Sequence, residues 1–509
     1  MKHIKKLASL LLALVMVLSL ATTAFAEETT YSITINNSTA GHTYEAYQIF
    51  TGDLHEGVLS NIKWGSSVSV AGQTALGDAA AKAETLKTEA DAKAFAKEVA
   101  PYLTAAAGSA DTVTDGKYVI SDLTAGYYLV KDQDGSLTGD ADAYTEYIIK
   151  VVSDTTATPK SSVPTVEKKV EDTNDSTGVT SGWQDSADYD IGDSIPFQLK
   201  ATLANNVSSY TTYKVVFHDT LSKGLTYNND AKVNIDGTET NGFTVTATVN
   251  ADGTTTLTVS CDDVKALGAG NSSVITVEYT AKLNENAVLG SAGNPNEVYL
   301  EYSNNPNKSE KGNNETGETP KDVVIVFTYK TIINKVDSEN KPLTGAAFKL
   351  EKLIKDKDGA ADTWTTVQEF TVDETTTSFT FSGLDDGQYK LTETKTPVGY
   401  NTIDPIYFVI EATHDETADA PTLKTLKAYL TDADGNKQTE MKDGESVNID
   451  LGTVDQTAGS ITTNVVNKAG STLPETGGIG TTIFYILGSV LLVGAAILLI
   501  TKKRMSAEK

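Results

Sequence analysis

Along most of the chain, apolar and polar residues alternate in short runs rich in Thr, Val and Tyr. Asn-Gly, Asp-Gly and Asn-Asn pairs separate the runs, as in "TNGFTVTATVNADGTTTLTVSC" (240–261) and "TTTSFTFSGLDDGQYKLTETK" (375–395). Alternation with a period of two is typical of half-buried strands, and Asp252-Gly253 is a hairpin signal. The pattern predicts a mainly β protein built from immunoglobulin-like β-sandwich domains in series.

The chain has 509 residues, too many for one ordinary domain. We predict an N-terminal domain at 27–157, a middle domain with its linker at 158–322 and a C-terminal domain at 323–470. Only the first contains a helical pattern, the Ala-rich stretch 75–103. We expect this added helix to end near Pro101 and to pack over a sheet.

Both ends of the chain carry targeting patterns. Residues 1–26 combine a basic start, an apolar run and Ala-Phe-Ala, so we predict a signal peptide cleaved between Ala26 and Glu27. The uncharged apolar run 479–500 is long enough for a transmembrane helix, and the basic residues at 502–504 favour a cytoplasmic tail.

Composition limits the functions that the chain can have. It holds 41 Lys and Arg against 68 Asp and Glu, a formal net charge of −27. Such an acidic surface repels nucleic acid, so no nucleic-acid partner is expected. The single cysteine, Cys261, excludes an internal disulfide, and we expect it to be a buried strand residue.

Catalytic signatures do not occur. The five histidines show no metal-ligand spacing, and no nucleophile elbow, phosphate-binding loop or zinc signature is present. "DQDGS" (132–136) and "DADGN" (432–436) do not combine the sixth-position Gly with the twelfth-position acid of a calcium loop, and they are expected to be hairpin turns. We therefore expect no metal, no cofactor and no enzyme.

The segment before the apolar run carries "LPETGG", followed by the run and the basic tail in order. This arrangement, at residues 471–509, resembles the cell-wall sorting signal of Gram-positive surface proteins. The resemblance implies that a sortase transpeptidase attacks the carbonyl of Thr476, releases Gly477 onward and passes the acyl group to an amine. The expected recognition residues are Leu473, Pro474, Glu475, Thr476 and Gly477.

The body resembles the backbone (major) pilin of sortase-assembled pili along essentially its whole length. Matches in the N-terminal and middle domains are "GHTYEAYQIFTG" (41–52), "GYYLVKD" (126–132), "PTVEKKV" (164–170), "FHDTLSKGL" (217–225) and "NPNEVYLEYSNNP" (294–306). In the C-terminal domain, "INKVDSENKPLTGAAFKL" (333–350) and "YKLTETKTPVGY" (389–400) resemble a Cna-B-type domain and its E-box.

The resemblance implies internal isopeptide bonds, in which a lysine amine condenses with an asparagine amide and expels ammonia. The reaction needs a neutral amine, and a buried acid beside both groups supplies polarisation and a proton. In the C-terminal domain the family match assigns these roles to Lys335, Asn467 and Glu393. Asn464 is a rival acceptor, but alternation directs it to the opposite face of its strand.

In the middle domain the same logic selects Lys168, Asn296 and Asp219, the acid being the promoting group. Lys169 falls on the other strand face and is expected to be solvated. Asn294 is the rival acceptor, rejected because Asn296 belongs to an alternating inward set with Val298 and Leu300. The opening strand of the N-terminal domain lacks a lysine, so no internal bond is expected there.

Lys160 lies in the linker before the middle domain. The pilin family places its polymerising lysine here in Tyr-Pro-Lys-Asn, and this chain has Thr158-Pro159-Lys160-Ser161. The resemblance implies that Lys160 attacks the Thr476 acyl group of another copy, which would build a covalent surface pilus that supports adhesion.

The partners that the resemblance implies are other copies of the chain, pilus-class and housekeeping sortases, minor pilins, peptidoglycan and an unidentified host surface ligand. The expected location is the cell wall. The alternative is a singly anchored adhesin or a minor pilin, which would not need Lys160.

Overall fold

A computed structural model describes residues 29–137, 143–159, 162–356, 361–442 and 445–470, with scattered helical positions between 486 and 502. Strands predominate and fall into three successive groups, so the expected mainly β tandem architecture is confirmed. Within the described part of the chain, no helix has the length and apolar character needed to cross a membrane. Half of the residues of the predicted span at 479–500 lie outside the described part of the chain.

The N-terminal domain contains two sheets, with strand orders β3-β2-β6-β7, where β4 also pairs with β2, and β5-β1-β8. Its strands are β1 (Tyr31–Asn36), β2 (Tyr44–His55), β3 (Val58–Trp64), β4 (Gly108–Ala110), β5 (Lys117–Leu123), β6 (Gly126–Asp132), β7 (Glu146–Val151) and β8 (Thr155–Ala157).

The Ala-rich stretch 75–103 is helical as predicted, but it is divided between the end of α1 (Val70–Leu76), α2 (Ala79–Thr85) and α3 (Glu89–Val99). Gly77 ends α1 at φ 85°, and Asp78 caps the N-terminus of α2. Thr88 and Asp91 form a capping box that starts α3. Each cap satisfies backbone N–H groups that a continuous helix would have bonded internally.

The helices cover one face of the first sheet, as expected. Phe95 of α3 stacks on Phe50 of β2 with ring centroids 5.6 Å apart, and Val99 is fully buried beside them. Burial of these apolar side chains is the main force that holds the helices on the sheet.

The middle domain is a sandwich of two sheets with strand orders β17-β16-β20-β13-β9 and β12-β25-β21-β14-β19-β18. Its strands are β9 (Thr165–Val170), β10 (Thr173–Asn174), β11 (Val179–Thr180), β12 (Ser186–Asp188), β13 (Ser194–Thr202), β14 (Val215–Leu221), β15 (Leu225–Tyr227), β16 (Lys232–Ile235), β17 (Thr238–Glu239), β18 (Thr244–Val249), β19 (Thr255–Cys261), β20 (Val274–Leu283), β21 (Asn294–Ser303), β22 (Ser309–Glu310), β23 (Asn313–Asn314), β24 (Thr316–Glu318) and β25 (Asp322–Phe327).

The predicted hairpin is present, because β18 and β19 pair antiparallel around Gly253, which has φ 87°. Cys261 ends β19 as a buried free cysteine. Strand β25 pairs with β21 and β12 of the middle domain. The boundary expected at 322 and 323 therefore falls at the first residues of a middle-domain strand.

The C-terminal domain has two main sheets, with orders β29-β26-β36-β35 and β28-β27-β30-β31-β32. Its first and last long strands, β26 and β36, run parallel with Lys335 opposite Val465. The strands are β26 (Tyr329–Val336), β27 (Ala347–Ile354), β28 (Thr363–Glu369), β29 (Ser378–Leu384), β30 (Gly387–Lys395), β31 (Ile406–His414), β32 (Leu423–Thr431), β33 (Thr439–Lys442), β34 (Glu445–Asn448), β35 (Thr453–Asp455) and β36 (Ser460–Val466).

Backbone hydrogen bonds join the middle and C-terminal domains at several points. The N–H of Ile191 donates to the carbonyl of Gly383 at 3.0 Å, and that of Asp185 donates to Glu416 at 2.9 Å. The N–H of Lys355 donates to Asp175 at 2.8 Å. These bonds come from separate loops, so they fix the orientation of one domain on the other.

Candidate functional site

Lys168 lies on β9, at the edge of one sheet of the middle domain, and its side chain is fully buried. Alternation along β9 directs it into the sandwich, between the two sheets. Lys169 points to the other face, where it is half-buried and forms an ion pair with Asp185. The expectation that Lys169 is simply solvated is therefore wrong, because the β12 side of the domain supplies it with a partner.

The Lys168 ammonium group meets two buried side chains from neighbouring strands. Its Nζ lies 2.5 Å from Asp219 Oδ1 and donates to the Tyr279 hydroxyl at 3.1 Å. The Tyr279 hydroxyl in turn donates to the other Asp219 oxygen. Asp219 is fully buried on β14, so the predicted lysine and acid are in direct contact.

Asn296 completes this set from β21. Its side-chain amide donates to the same Tyr279 hydroxyl at 2.8 Å, which places the amide beside the lysine amine. The Asn296 carbonyl oxygen is buried and has no hydrogen-bond partner among the described residues. A buried acceptor without a donor is costly, and a protonated acid would be a suitable donor for it.

Asn294 shares the inward face of β21 with Asn296, so alternation alone does not separate the two residues. Their partners do. The Asn294 side chain accepts from the Val288 N–H at 2.8 Å and donates to the carbonyls of Val288 and Val326, each at 3.1 Å. The Asn294 side chain thus bonds to backbone groups, while the Asn296 side chain faces Lys168, Asp219 and Tyr279.

Burial changes the acid-base properties of both ionisable partners. Desolvation lowers the pKa of Lys168, although the carboxylate of Asp219 opposes this change. Desolvation raises the pKa of Asp219, again opposed by Lys168. Both directions favour the neutral amine and the neutral acid that condensation requires.

Lys335 of the C-terminal domain is also fully buried. Its Nζ donates to the backbone carbonyls of Val465 at 2.9 Å and Val336 at 3.1 Å. Burial lowers the pKa of Lys335 to about 8, against the raising influence of Glu393. A substantial fraction of this amine is therefore neutral near physiological pH.

Asn467 immediately follows β36 and is fully buried. Its amide donates to both Glu393 oxygens at 3.0 Å, and its carbonyl oxygen has no hydrogen-bond partner among the described residues. The acid here contacts the amide rather than the amine. The rival Asn464 is exposed and accepts from Asn334 at the surface.

Tyr279 is the residue that the sequence analysis missed. It links the amine, the acid and the amide of the middle domain through one hydroxyl. A weak signal exists in the sequence, because Ile275, Val277 and Tyr279 form the inward face of β20. That periodicity marks Tyr279 as buried but does not reveal its partners.

Several predicted site residues lie outside the described part of the structure. These are Lys160 of the linker, the expected signal cleavage site at Ala26 and Glu27, and the sorting motif Leu473, Pro474, Glu475, Thr476 and Gly477.

The fold and these two sets define a class: a tandem β-sandwich protein whose last two domains each enclose a lysine, an asparagine and a carboxylic acid. Family models match three segments: a Gram-positive pilin backbone subunit 2, Cna-B-like domain at 191–306, a SpaA prealbumin-like fold domain at 330–426, and an LPXTG cell wall anchor motif at 465–506. The Cna-B-like description falls on the middle domain and the prealbumin-like description on the C-terminal domain.

The chain is 26% identical over 405 residues to the trypsin-resistant surface T6 protein of Streptococcus pyogenes serotype M6, covering 69% of this chain and 70% of that protein. The solved structure of the T6 backbone pilin aligns with a TM-score of 0.54 at 19% identity, covering 88% of this chain and all of that one. The full-length major pilin SpaD of Corynebacterium diphtheriae gives 0.50 at 17% identity, with 88% and 100% coverage. These matches show that the chain has the tandem-domain fold of Gram-positive backbone pilins, and that its C-terminal segment carries an LPXTG cell wall anchor motif.

Proposed function

We propose that this protein is the shaft subunit of a covalent pilus, polymerised by a sortase through Lys160 and Thr476 and stiffened by two internal bonds, Lys168–Asn296 and Lys335–Asn467. The observation that carries the proposal is the repeated burial of a lysine, an asparagine and an acid in two consecutive domains. Three such polar groups rarely share a protein core unless a reaction or a bond requires them.

Each internal bond forms without an external reagent. The neutral lysine Nζ attacks the asparagine Cγ, a C–N bond forms, and the bond from Cγ to the amide nitrogen breaks. The departing nitrogen leaves as ammonia after it gains a proton. Asp219 in the middle domain and Glu393 in the C-terminal domain carry this proton and polarise the amide carbonyl.

The positions of the bonds give them a mechanical role. In the C-terminal domain, Lys335 on the first strand would be joined to Asn467 just after the last strand, so tension would pass through a covalent link. In the middle domain, β25 lies beyond Asn296 and is held by hydrogen bonds, including one of 2.6 Å from the Lys168 N–H to Asp322. The residues between Asn296 and the C-terminal domain would therefore stay outside the covalent loop.

Polymerisation would proceed by acyl transfer. The sortase would break the Thr476–Gly477 bond, and Lys160 of another copy would take the Thr476 acyl group in a new amide bond. Repetition would give a head-to-tail fibre. A pilus-class sortase, a housekeeping sortase that attaches the fibre to peptidoglycan, and minor pilins would be its partners. Lys160 separates this function from that of a singly anchored adhesin or minor pilin.

The test is a Lys160→Ala variant in the native host, with Lys232→Ala as the matched control at an exposed lysine on β16. Immunoblots of cell-wall extracts should show high-molecular-weight ladders for the native protein and the control. Lys160→Ala should give only the monomer attached to the wall. An unchanged ladder from Lys160→Ala would contradict the proposed linkage.

A further inference from the structure

The joint between the middle and C-terminal domains encloses a cluster of acids that the proposed crosslinks do not use. Asp172 and Asp188 belong to the middle domain, whereas Asp386 and His414 belong to the C-terminal domain. We refer to these four residues as the His414 cluster. His414 Nε2 lies 3.4 Å from Asp172 Oδ2 and 3.9 Å from Asp188 Oδ1. One ligand atom from each of these three residues lies within 4.8 Å of the other two.

The orientation of the His414 ring follows from its other nitrogen. The Ser186 hydroxyl donates to the carbonyl of Asp415, which can only accept. Ser186 must therefore accept from His414 Nδ1, 2.8 Å away. In the neutral imidazole this leaves the lone pair of Nε2 directed at the carboxylates of Asp172 and Asp188. Such a contact becomes favourable when Nε2 carries a proton or when a metal cation lies between the groups.

The spacing matches that of ligands around a small dication. Distances of 3.4 and 3.9 Å are longer than an ordinary N–H···O hydrogen bond. Ligands bound tetrahedrally at zinc distances are separated by about 3.3–3.5 Å. A small contraction of the longer distance would give that geometry.

A second acidic group in the same joint shows the contrast. Lys352 fills it, with its Nζ 2.7 Å from Asp190, 3.1 Å from Asp175 and also bonded to Asp385. Burial alone would lower the pKa of Lys352, but these carboxylates raise it above its ordinary value. Lys352 is thus a protonated lysine held in ion pairs between the two domains, whereas burial lowers the pKa of Lys168.

No lysine pairs with Asp172, Asp188 or Asp386 within 4 Å in the part of the chain that the structure describes. The carboxylates of the His414 cluster therefore lack the direct ammonium contact that Lys352 gives to the second acidic group.

Independent support comes from Tyr329, the first residue of β26. Its side chain is fully buried and its hydroxyl faces Asp188, but it forms no hydrogen bond of ordinary geometry among the described residues. A water that completes the coordination of a metal would give this hydroxyl an acceptor.

We propose that Asp172, Asp188 and His414 bind a zinc-class divalent cation that clamps the middle domain to the C-terminal domain. One imidazole with carboxylates favours zinc over calcium, which prefers oxygen ligands alone. Ser186 acts as a positioning residue that holds the imidazole. Because His414 belongs to a different domain and lies more than 200 residues from Asp172 and Asp188, no local spacing in the sequence reveals the site.

The test uses the purified full chain after treatment with a chelator and dialysis against zinc chloride or calcium chloride. Elemental analysis should find one zinc per chain, both in the native protein and in His55→Gln, which changes an exposed histidine. His414→Gln should lose the zinc. Ser186→Ala should bind it about 10–100-fold more weakly, as expected when a group that orients a ligand is removed.

Circular dichroism and intact mass would show whether His414→Gln is folded and crosslinked like the native protein, and Asp172→Asn provides a second ligand variant if it is not. The proposal is overturned if the native protein retains no zinc, if it retains calcium instead, or if both ligand variants bind zinc as the native protein does. None of these results depends on polymerisation through Lys160.

Discussion

Asp219→Asn isolates the contribution of the middle-domain bond, because the amide has nearly the shape of the carboxyl group but cannot carry the proton that condensation needs. Lys168, Tyr279 and Asn296 remain in place in this variant. We expect the Lys168–Asn296 bond not to form, so the chain should retain the ammonia that the native protein loses, about 17 Da. The C-terminal bond should be unaffected.

The expected loss of stability follows from the loop that the bond closes. Lys168 and Asn296 enclose about 130 residues, for which the loop-entropy relation gives about 5 kcal/mol. For a domain of this size, each kcal/mol corresponds to roughly 2–4 °C in Tm, so the middle-domain transition should fall by about 10–20 °C. The altered buried pair itself adds to this loss.

Intact mass and differential scanning calorimetry of the full chain measure the two effects on one sample. Asp185→Asn is the matched control, because it breaks the neighbouring Lys169 ion pair without touching the proposed bond. It should leave the mass deficit intact and shift the transition by no more than a few degrees, as expected for a partly exposed pair. The reasoning is refuted if Asp219→Asn still loses both ammonia molecules, or if it keeps one and unfolds at the native temperature.

Asn296→Ala should lose one ammonia relative to its own sequence, because the amide of the middle-domain reaction is gone. Asn294→Ala should lose two but destabilise the middle domain by about 1–3 kcal/mol, because it leaves buried backbone groups unpaired. Equal masses of the two variants would contradict the assignment. The pKa of Lys335 is about 8, so the fraction of neutral amine increases as the pH rises. Ammonia release from the refolding C-terminal domain should therefore accelerate between pH 6 and 8 and level off above that range. Glu393→Gln is the unreactive control. A rate that is constant or falls with pH in quenched mass measurements would show that the neutral amine does not limit the reaction. Single-molecule pulling should release only the segment 297–327 of the middle domain, about 100 Å of chain, and an extension several times longer would show that its bond is absent.

Much of the fold and of the candidate site could be predicted from the alternation of apolar and polar residues in the strands. The inward direction of Lys168 and the outward direction of Asn464 follow from a period of two, and the hairpin around Gly253 follows from its turn chemistry. The same rule does not separate Asn294 from Asn296, because they share a face. Only the loop that brings Val288 against Asn294 distinguishes them.

Other features depend on contacts between distant segments. The hydroxyl of Tyr279 joins three strands, and the proximity of His414 to Asp172 depends on how two domains dock. The division of the Ala-rich segment into three helices could have been anticipated from Gly77 and from Thr88, which begins a capping box. The ion-pair partner of Lys169 could be identified only from the three-dimensional structure, because Asp185 lies on a separate loop.

The most direct test of the central claim is the intact mass of the purified native protein, compared with the mass calculated from its observed termini, followed by peptide mapping. Two internal bonds predict a deficit of about 34 Da, two ammonia molecules. The map should contain one branched peptide that joins Lys168 to Asn296 and another that joins Lys335 to Asn467. A mass equal to that of the linear sequence, with all four residues recovered in unlinked peptides, would contradict the account.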